Sequence, residues 1–589
     1  MLKILKNYNK RDVCLIIICI LFVVLQVFLE LKMPDYMSEI TKLVQTQGSQ
    51  MNEILQNGGY MLLCALGSFA SSVIVGYFAS NLAATLSLRT RKKLFNKVEE
   101  LAMNEIKEFS TSSLITRTTN DITQIQMVTA MGLQVAIRAP ITAVWAISKI
   151  LNKSWQFSSV VGVAVLILLS VVAVLMSIVL PRFKIVQKLI DKLNGVMREN
   201  LTGIRVVRAF NAEDYQENKF GNVNKTLTNT QIFNQKAFSI MSPVMYLVMY
   251  FLTLIIYVVG AHMIVDAGMA DKISIFGDMV VFSSYGMQVI MSFLMLAMIF
   301  MMVPRAQVSA NRINEVLEKE ITVKDGEITA ENDTNKNIKG EVEFKNVSFK
   351  YPDAEEDVLT NISFKANKGE TVAFIGSTGS GKSTLINLIP RFYDVTGGEV
   401  LVDGINVKEY NQNYLHSKFG YVSQKAVIFN ESIKENVAYG DSGKEISNEA
   451  IEKAIEVAQA KEFVDKMDNG IDTEIARGGT NISGGQKQRL SIARAVAREP
   501  EIYIFDDTFS ALDYKTDSVL RKELKKYTKD ATILIVAQRI GTIMNADKII
   551  VLDDGKTVGI GTHKELLKNC EVYKQIALSQ LSKEELENA

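Results

Sequence analysis

Six apolar runs dominate the first half of this chain: Val13–Met33, Gly59–Ala83, Met127–Ile150, Phe157–Leu180, Ile240–Val265 and Asp278–Val303. Each is long enough to cross roughly 30 Å of hydrocarbon as an α-helix. Lipid offers no partners to backbone N–H and C=O groups, so a spanning segment must satisfy them internally. That requirement leaves the first 303 of 589 residues little choice but a bundle of six membrane-spanning helices.

Basic flanks orient the bundle. Lys3, Lys6, Lys10 and Arg11 precede the first run, Arg89, Arg91, Lys92, Lys93 and Lys97 follow the second, and a further basic stretch from Arg182 follows the fourth. Segments 34–58, 151–156 and 266–277 hold few Lys or Arg. Both termini are therefore expected in the cytoplasm, in a multi-pass protein of the cell membrane. The two long inside connections, 84–126 and 181–239, keep helical spacing of charged and apolar residues and should extend the helices below the bilayer. Phe109–Leu114 and Ala209–Asp214 interrupt them as candidate contact elbows.

Polar residues within the spans are few: Gln26, Glu30, Gln134, Arg138, His262 and Gln288. Such groups face a protein interior or a watery cavity. Arg138 and Gln288, with the helical stripe Met287, Met291 and Met295, form the candidate substrate cavity. Methionine suits surfaces that accept several apolar shapes. A methionine stripe is more often packing, and Arg138 has the alternative of an internal ion pair.

Balanced charge, Lys+Arg 65 against Asp+Glu 64, leaves no excess to drive nucleic-acid binding. The four cysteines form no C-x-x-C pair and read as small buried hydrophobes. A charged and polar linker is expected over 304–339, followed by a soluble α/β domain over 340–589.

That domain carries Gly376-Ser377-Thr378-Gly379-Ser380-Gly381-Lys382-Ser383, which fits the phosphate-cradling loop. The strand Thr371–Ile375 precedes it, Thr384 continues the candidate ATP contacts, and Leu385–Ile389 starts the helix that follows. Lys382 should reach phosphate oxygens, and Ser383 a Mg²⁺ ion. Ile502–Phe505 reads as a buried parallel strand ending in Asp506-Asp507, which points carboxylates at the metal. Gln424 ends another strand and could reach the metal or water, and Tyr351 offers an aromatic face to a base.

Together with Ser483-Gly484-Gly485-Gln486, in this order, these parts resemble the ATP-binding cassette. With six spans ahead of it, the chain resembles an ABC exporter half-transporter, α-helical in the membrane and α/β in the cassette. The resemblance implies a transport ATPase in which two cassettes meet head to tail. Each ATP is then held between one chain's phosphate loop and the Ser-Gly-Gly-Gln of the other. Three departures stand out. Asp507 occupies the place of the family's catalytic Glu, and Gln538 that of its switch His. Ile475–Gly479 lacks the Glu common before the signature. Aspartate is one methylene short of the water it must orient, and glutamine cannot carry positive charge. The expectation is a degenerate site on this chain. Its signature would complete a competent site on a second half-transporter carrying Glu and His, as in heterodimeric bacterial multidrug exporters. The cargo would be a hydrophobic or amphipathic compound met in membrane lipid. Lipid or peptide export, and a membrane-anchored ATP-binding regulatory subunit, are the alternatives.

Overall fold

The computed structural model describes residues 2–46, 48–151, 155–333, 335, 338–440 and 445–581. It divides into two compact units, one of residues 1–99 and 111–319, the other of 100–110 and 320–589.

The first unit contains six helices long and apolar enough to cross a membrane: α1 Lys10–Gln45, α2 Met51–Glu100, α3 Thr111–Leu151, α4 Trp155–Thr202, α5 Glu213–Asp266 and α6 Met269–Leu317. At 1.5 Å per residue the 54 residues of α5 run about 80 Å, far beyond the hydrocarbon. The helical periodicity of the inside connections thus does continue the spans. α3 is interrupted by two π-turns, Arg117–Asp121 and Gly132–Ala136, so its backbone ladder slips twice within one span.

The helices meet in a core around Leu31, Phe157, Leu252, Phe282 and Tyr285. Tyr285 is fully buried, and its hydroxyl donates to the Leu31 carbonyl and to Asp35, each at 2.8 Å. Charges within the spans are paired: Arg138 with Glu30, and Lys149 with Asp35. Pairing is what keeps a charge tolerable at membrane depth.

Both elbows exist. The backbone breaks at Phe109, where the short helix Met103–Glu108 ends, and Asn211 turns left-handed ahead of α5. The domain boundaries, however, differ from the sequence reading. α6 continues through Pro304 to Leu317, so the boundary at 303 falls inside a helix. Val323 is buried, and Ile328 bridges to Tyr410, so apolar residues dock much of the expected linker onto the cassette unit. Residues 100–110 also belong to the cassette unit, where the buried Glu105 accepts 2.7 Å from Thr322.

The cassette unit is built on two sheets. In the first, β1 Val342–Phe349, β2 Leu359–Ala366, β4 Gly397–Val402 and β5 Ile405–Asn406 lie in the order β2-β1-β4-β5, and the second, six-stranded, is edged by β9 Lys548–Asp553 and β10 Lys556–Gly561. The catalytic half of the second sheet comprises β3 Thr371–Gly376, β8 Thr532–Val536, β7 Ile502–Asp506 and β6 Phe419–Val422, all parallel. Alternate side chains of each inner strand enter different cores. Phe374, Ile504 and Leu534 lie in one; Ala373, Phe505 and Ile535 lie in the other. Burial on both faces explains why these strands read as unbroken apolar runs.

Candidate functional site

The parallel order β3-β8-β7-β6 brings four loops to one carboxyl edge, the place where open α/β sheets bind ligands. β3 delivers the phosphate loop, β7 delivers Asp506 and Asp507, β8 delivers Gln538, and β6 delivers Gln424. Residues more than 160 positions apart in the chain thereby share one site.

In the phosphate loop, Gly379 and Gly381 both take φ of 89°, where a β-carbon is strained. A β-carbon at Gly376 would sit 2.0 Å from the Leu552 carbonyl oxygen. Lys382 Nζ donates to the carbonyls of Gly376 at 2.9 Å and Ser377 at 2.6 Å, and to Ser380 Oγ at 3.3 Å. Burial pushes its ammonium below the ordinary lysine range, opposed by Asp507 and Asp506. A half-desolvated cation bound only to neutral oxygens is well placed to receive an anion. Ser377, Thr378 and Gly379 are exposed around it.

Ser383 Oγ donates 2.9 Å to Asp506 Oδ1 at the foot of this loop. Burial raises the Asp506 carboxyl above the usual aspartate range, and Ser383 draws it partly back. One hydroxyl and one carboxylate fit Mg²⁺, a hard cation that keeps waters and substrate phosphates as its other ligands. Among the described residues no cluster of three His, Cys, Asp or Glu could cage a metal. Ser383 and Asp506 would hold the Mg²⁺ ion.

Asp507 is engaged elsewhere. Its Oδ2 accepts from Gln538 Nε2 at 2.8 Å and from Gln424 Nε2 at 3.3 Å. Its backbone sits at φ 46°, and its carbonyl accepts from Ser510 at 2.8 Å. Gln424, expected at the metal, here spends its amide N–H on Asp507 instead. The histidines nearest in sequence lie in other settings: His416 bonds the Pro390 carbonyl, and His563 bonds the Tyr573 hydroxyl.

Tyr351 lies beside the loop, its hydroxyl 3.1 Å from Thr384 Oγ1. Sequence reading missed the group above it. Lys107 Nζ lies 4.6 Å from the Tyr351 ring centre and 5.1 Å from that of Tyr393. The bond to Tyr393 holds the Lys107 ammonium above the ordinary lysine range. Nothing in the sequence ties residue 107 to residue 351; only the fold does. Burial raises the Asp507 carboxyl above the usual aspartate range, and the charge of Arg539, which adjoins Gln538 and which sequence reading also missed, draws it partly back.

The signature forms a capping box. Ser483 Oγ accepts from Gln486 N at 3.3 Å, and Gln486 Oε1 accepts from Ser483 N at 2.7 Å, starting the 14-residue helix Gly484–Ala497. Ser483 and Gly484 are exposed, and a β-carbon on Gly484 would meet nothing within 4 Å. Among the described residues, Ser483–Gln486 makes no hydrogen bond to residues 376–383.

In the membrane unit, Arg138 and Gln288 line one cavity of about 530 Å³ with Gln26, Glu30, Ser68 and Phe69. The expected methionine face does not join them. Successive side chains diverge by 100° around a helix, which turns Met287 away from Gln288, and Met287 is exposed. Met291 packs on the helix core, and Met295, two turns from Gln288, is absent from this wall.

Comparison with known proteins fixes the family. The ABC transporter transmembrane region family matches residues 16–312, and the ABC transporter family matches residues 359–510. The chain belongs to the ABC transporters. It is 39% identical over 523 residues to an uncharacterised ABC transporter ATP-binding protein of Mycobacterium bovis, covering 89% of this chain and 87% of that one. It is 33% identical over 506 residues to an ATP-dependent lipid A-core flippase of Pseudomonas aeruginosa, covering 85% and 80%. A bacterial Atm1-family ABC exporter with ATP bound shares the fold, with a TM-score of 0.81 at 22% identity over 98% and 100% of the two chains. This half-transporter is therefore an ABC exporter, a multi-pass membrane protein with a cytoplasmic ATPase cassette.

Proposed function

We propose that this chain is the weak-site subunit of a heterodimeric exporter of hydrophobic or amphipathic compounds. The carrying observation is the amide clasp on Asp507. A general base must reach the proton it removes, directly or through one water. Here the short carboxylate already accepts two amide bonds on one oxygen, and the residue at 538 brings no titratable ring. Lys382, Ser383 and Asp506 remain arranged to hold ATP and Mg²⁺, so binding is kept while hydrolysis is slow.

The signature supports the complementary half of the proposal. Its open Gly484 and exposed serine suit a phosphate held by another chain's loop. A partner with Glu and His would then own the fast site, completed by Ser483–Gln486 of this chain. A second reading, lipid flipping, draws on the relatives named as lipid A-core flippases. The test is purification of the tagged chain from its native host. The expected result is equimolar recovery of a different half-transporter with Glu and His at the matching positions. Recovery of tagged and untagged copies of this chain together, with no second protein, would overturn the proposal.

A further inference from the structure

Charge in the membrane cavity is cancelled within the cavity wall. Glu30 on α1 accepts at Oε1 from Gln26 Nε2, Ser68 Oγ and Arg138 Nη2, each at 3.0 Å, and at Oε2 from Arg138 Nη2 at 2.8 Å. Four donor contacts leave this carboxylate little to offer a ligand. Arg138, from α3, is neutralised by the same contact. Its Nη1 and Nε make no bond to protein among the described residues. On the same wall, the Gln288 amide oxygen is shut from bulk solvent and has no donor among the described residues. Phe69, Met33 and Ala65 supply apolar wall.

Taken together, the wall offers spare N–H donors from a guanidinium whose charge Glu30 balances, one unpaired acceptor, and an apolar flank. A buried polar group without a partner is costly, so the site gains most from a ligand that supplies one. An anionic or cationic head group would meet a wall whose own charges already cancel, leaving no countercharge to offset the hydration it gives up. We infer that this cavity selects amphiphiles with an uncharged head group that both donates and accepts hydrogen bonds, such as an amide or a hydroxyl cluster. The inference rests on the exporter reading for its cargo, and it gives that cargo a chemical class. Glu30 is the specificity-determining residue: it does not bind the head group but cancels the charge that would otherwise choose it.

The test uses the full-length complex in nanodiscs and three fluorescent probes with one alkyl chain, ending in a primary amide, a sulfate or a trimethylammonium group. The amide probe should bind at least about tenfold more tightly than either ion. Glu30→Gln frees the charge of Arg138 and should improve sulfate binding about tenfold relative to amide. Arg138→Gln should do the same for trimethylammonium. Gln288→Leu should weaken amide binding severalfold without altering the ratio between the ions. The double substitution Glu30→Gln with Arg138→Gln restores neutrality and should restore the amide preference, which guards against misfolding of either single variant. Wild-type preference for an ion, or ratios unmoved by Glu30→Gln and Arg138→Gln, overturns the inference. ATP turnover is followed in the same discs. Intact turnover without head-group discrimination sinks only the cavity assignment, whereas a complex without turnover sinks the exporter reading.

Discussion

Gln538 Nε2 donates 2.8 Å to Asp507 Oδ2, tying together the two positions that the family normally gives to a glutamate and a histidine. The bond joins the ends of adjacent parallel strands, where Asp506 pairs in register with Val536. It turns two separate sequence departures into one structural unit. Gln424 closes the same carboxylate oxygen from a third strand. Lys382 and the Ser383–Asp506 pair, the groups proposed to hold the nucleotide, make no hydrogen bond to this clasp among the described residues.

Lys382 should dominate nucleotide retention. Hydrogen bonds to charged groups contribute about 1.5–3 kcal/mol each. Lys382→Ala should therefore weaken ATP binding to this chain's site about 10- to 100-fold. Retention of ATP by wild-type and variant complexes, measured by filter binding, checks this. Equal retention would remove the phosphate loop from the binding site.

Magnesium-dependent binding should fail on acidification sooner than an ordinary aspartate allows. Burial raises the Asp506 carboxyl, so protonation begins above the usual value near 3.9. The sign differs between two quantities. A raised carboxyl favours the empty folded cassette at low pH, and that contribution is lost as pH rises through the folded value. The ion-holding form is the ionised one, so Mg²⁺-dependent ATP retention is complete at neutral pH and falls by up to about tenfold per unit below the raised value. Titration calorimetry across that range, with Asp506→Asn lacking the Mg²⁺-dependent part at every pH, is the check.

Lys107 should act on base recognition rather than on phosphate binding. Its ammonium lies over Tyr351, the aromatic face available to adenine. A cation–π contact contributes about 0.5–1 kcal/mol at an exposed site, so Lys107→Met should weaken ATP two- to fivefold. Ribose triphosphate lacking the base should be unaffected, and Lys107→Arg should restore most of the loss. Equal weakening of both ligands would make Lys107 purely structural.

Much of this was readable in advance because the informative residues punctuate the chain. Gly376 and Gly381 mark the phosphate loop since a β-carbon at either meets neighbouring atoms within 2.7 Å. Six spans were readable because lipid demands long apolar helices. Contacts made by strand order or loop docking were not. Asp507 and Gln538 are 31 residues apart and meet only once β7 and β8 pair. Lys107 belongs to the short helix Met103–Glu108, too brief for its packing to leave a local pattern. The Met287–Met295 stripe misled because an amphipathic period identifies a helix face without naming what covers it. The apolar run ends at Val303, yet α6 runs on to Leu317, because a helix can continue past the hydrocarbon without apolar residues to mark it.

The most direct measurement is steady-state ATP turnover of the purified two-chain complex carrying Asp507→Asn or, separately, Ser483→Ala. Loss of a working general base costs about 10²–10⁴-fold. If Asp507 is already clasped and idle, Asp507→Asn should leave turnover within about twofold of wild type. Ser483→Ala removes a hydroxyl offered to the partner's site and should cut turnover at least about tenfold. Collapse of turnover in Asp507→Asn with Ser483→Ala unchanged would contradict the assignment, placing the working base on this chain.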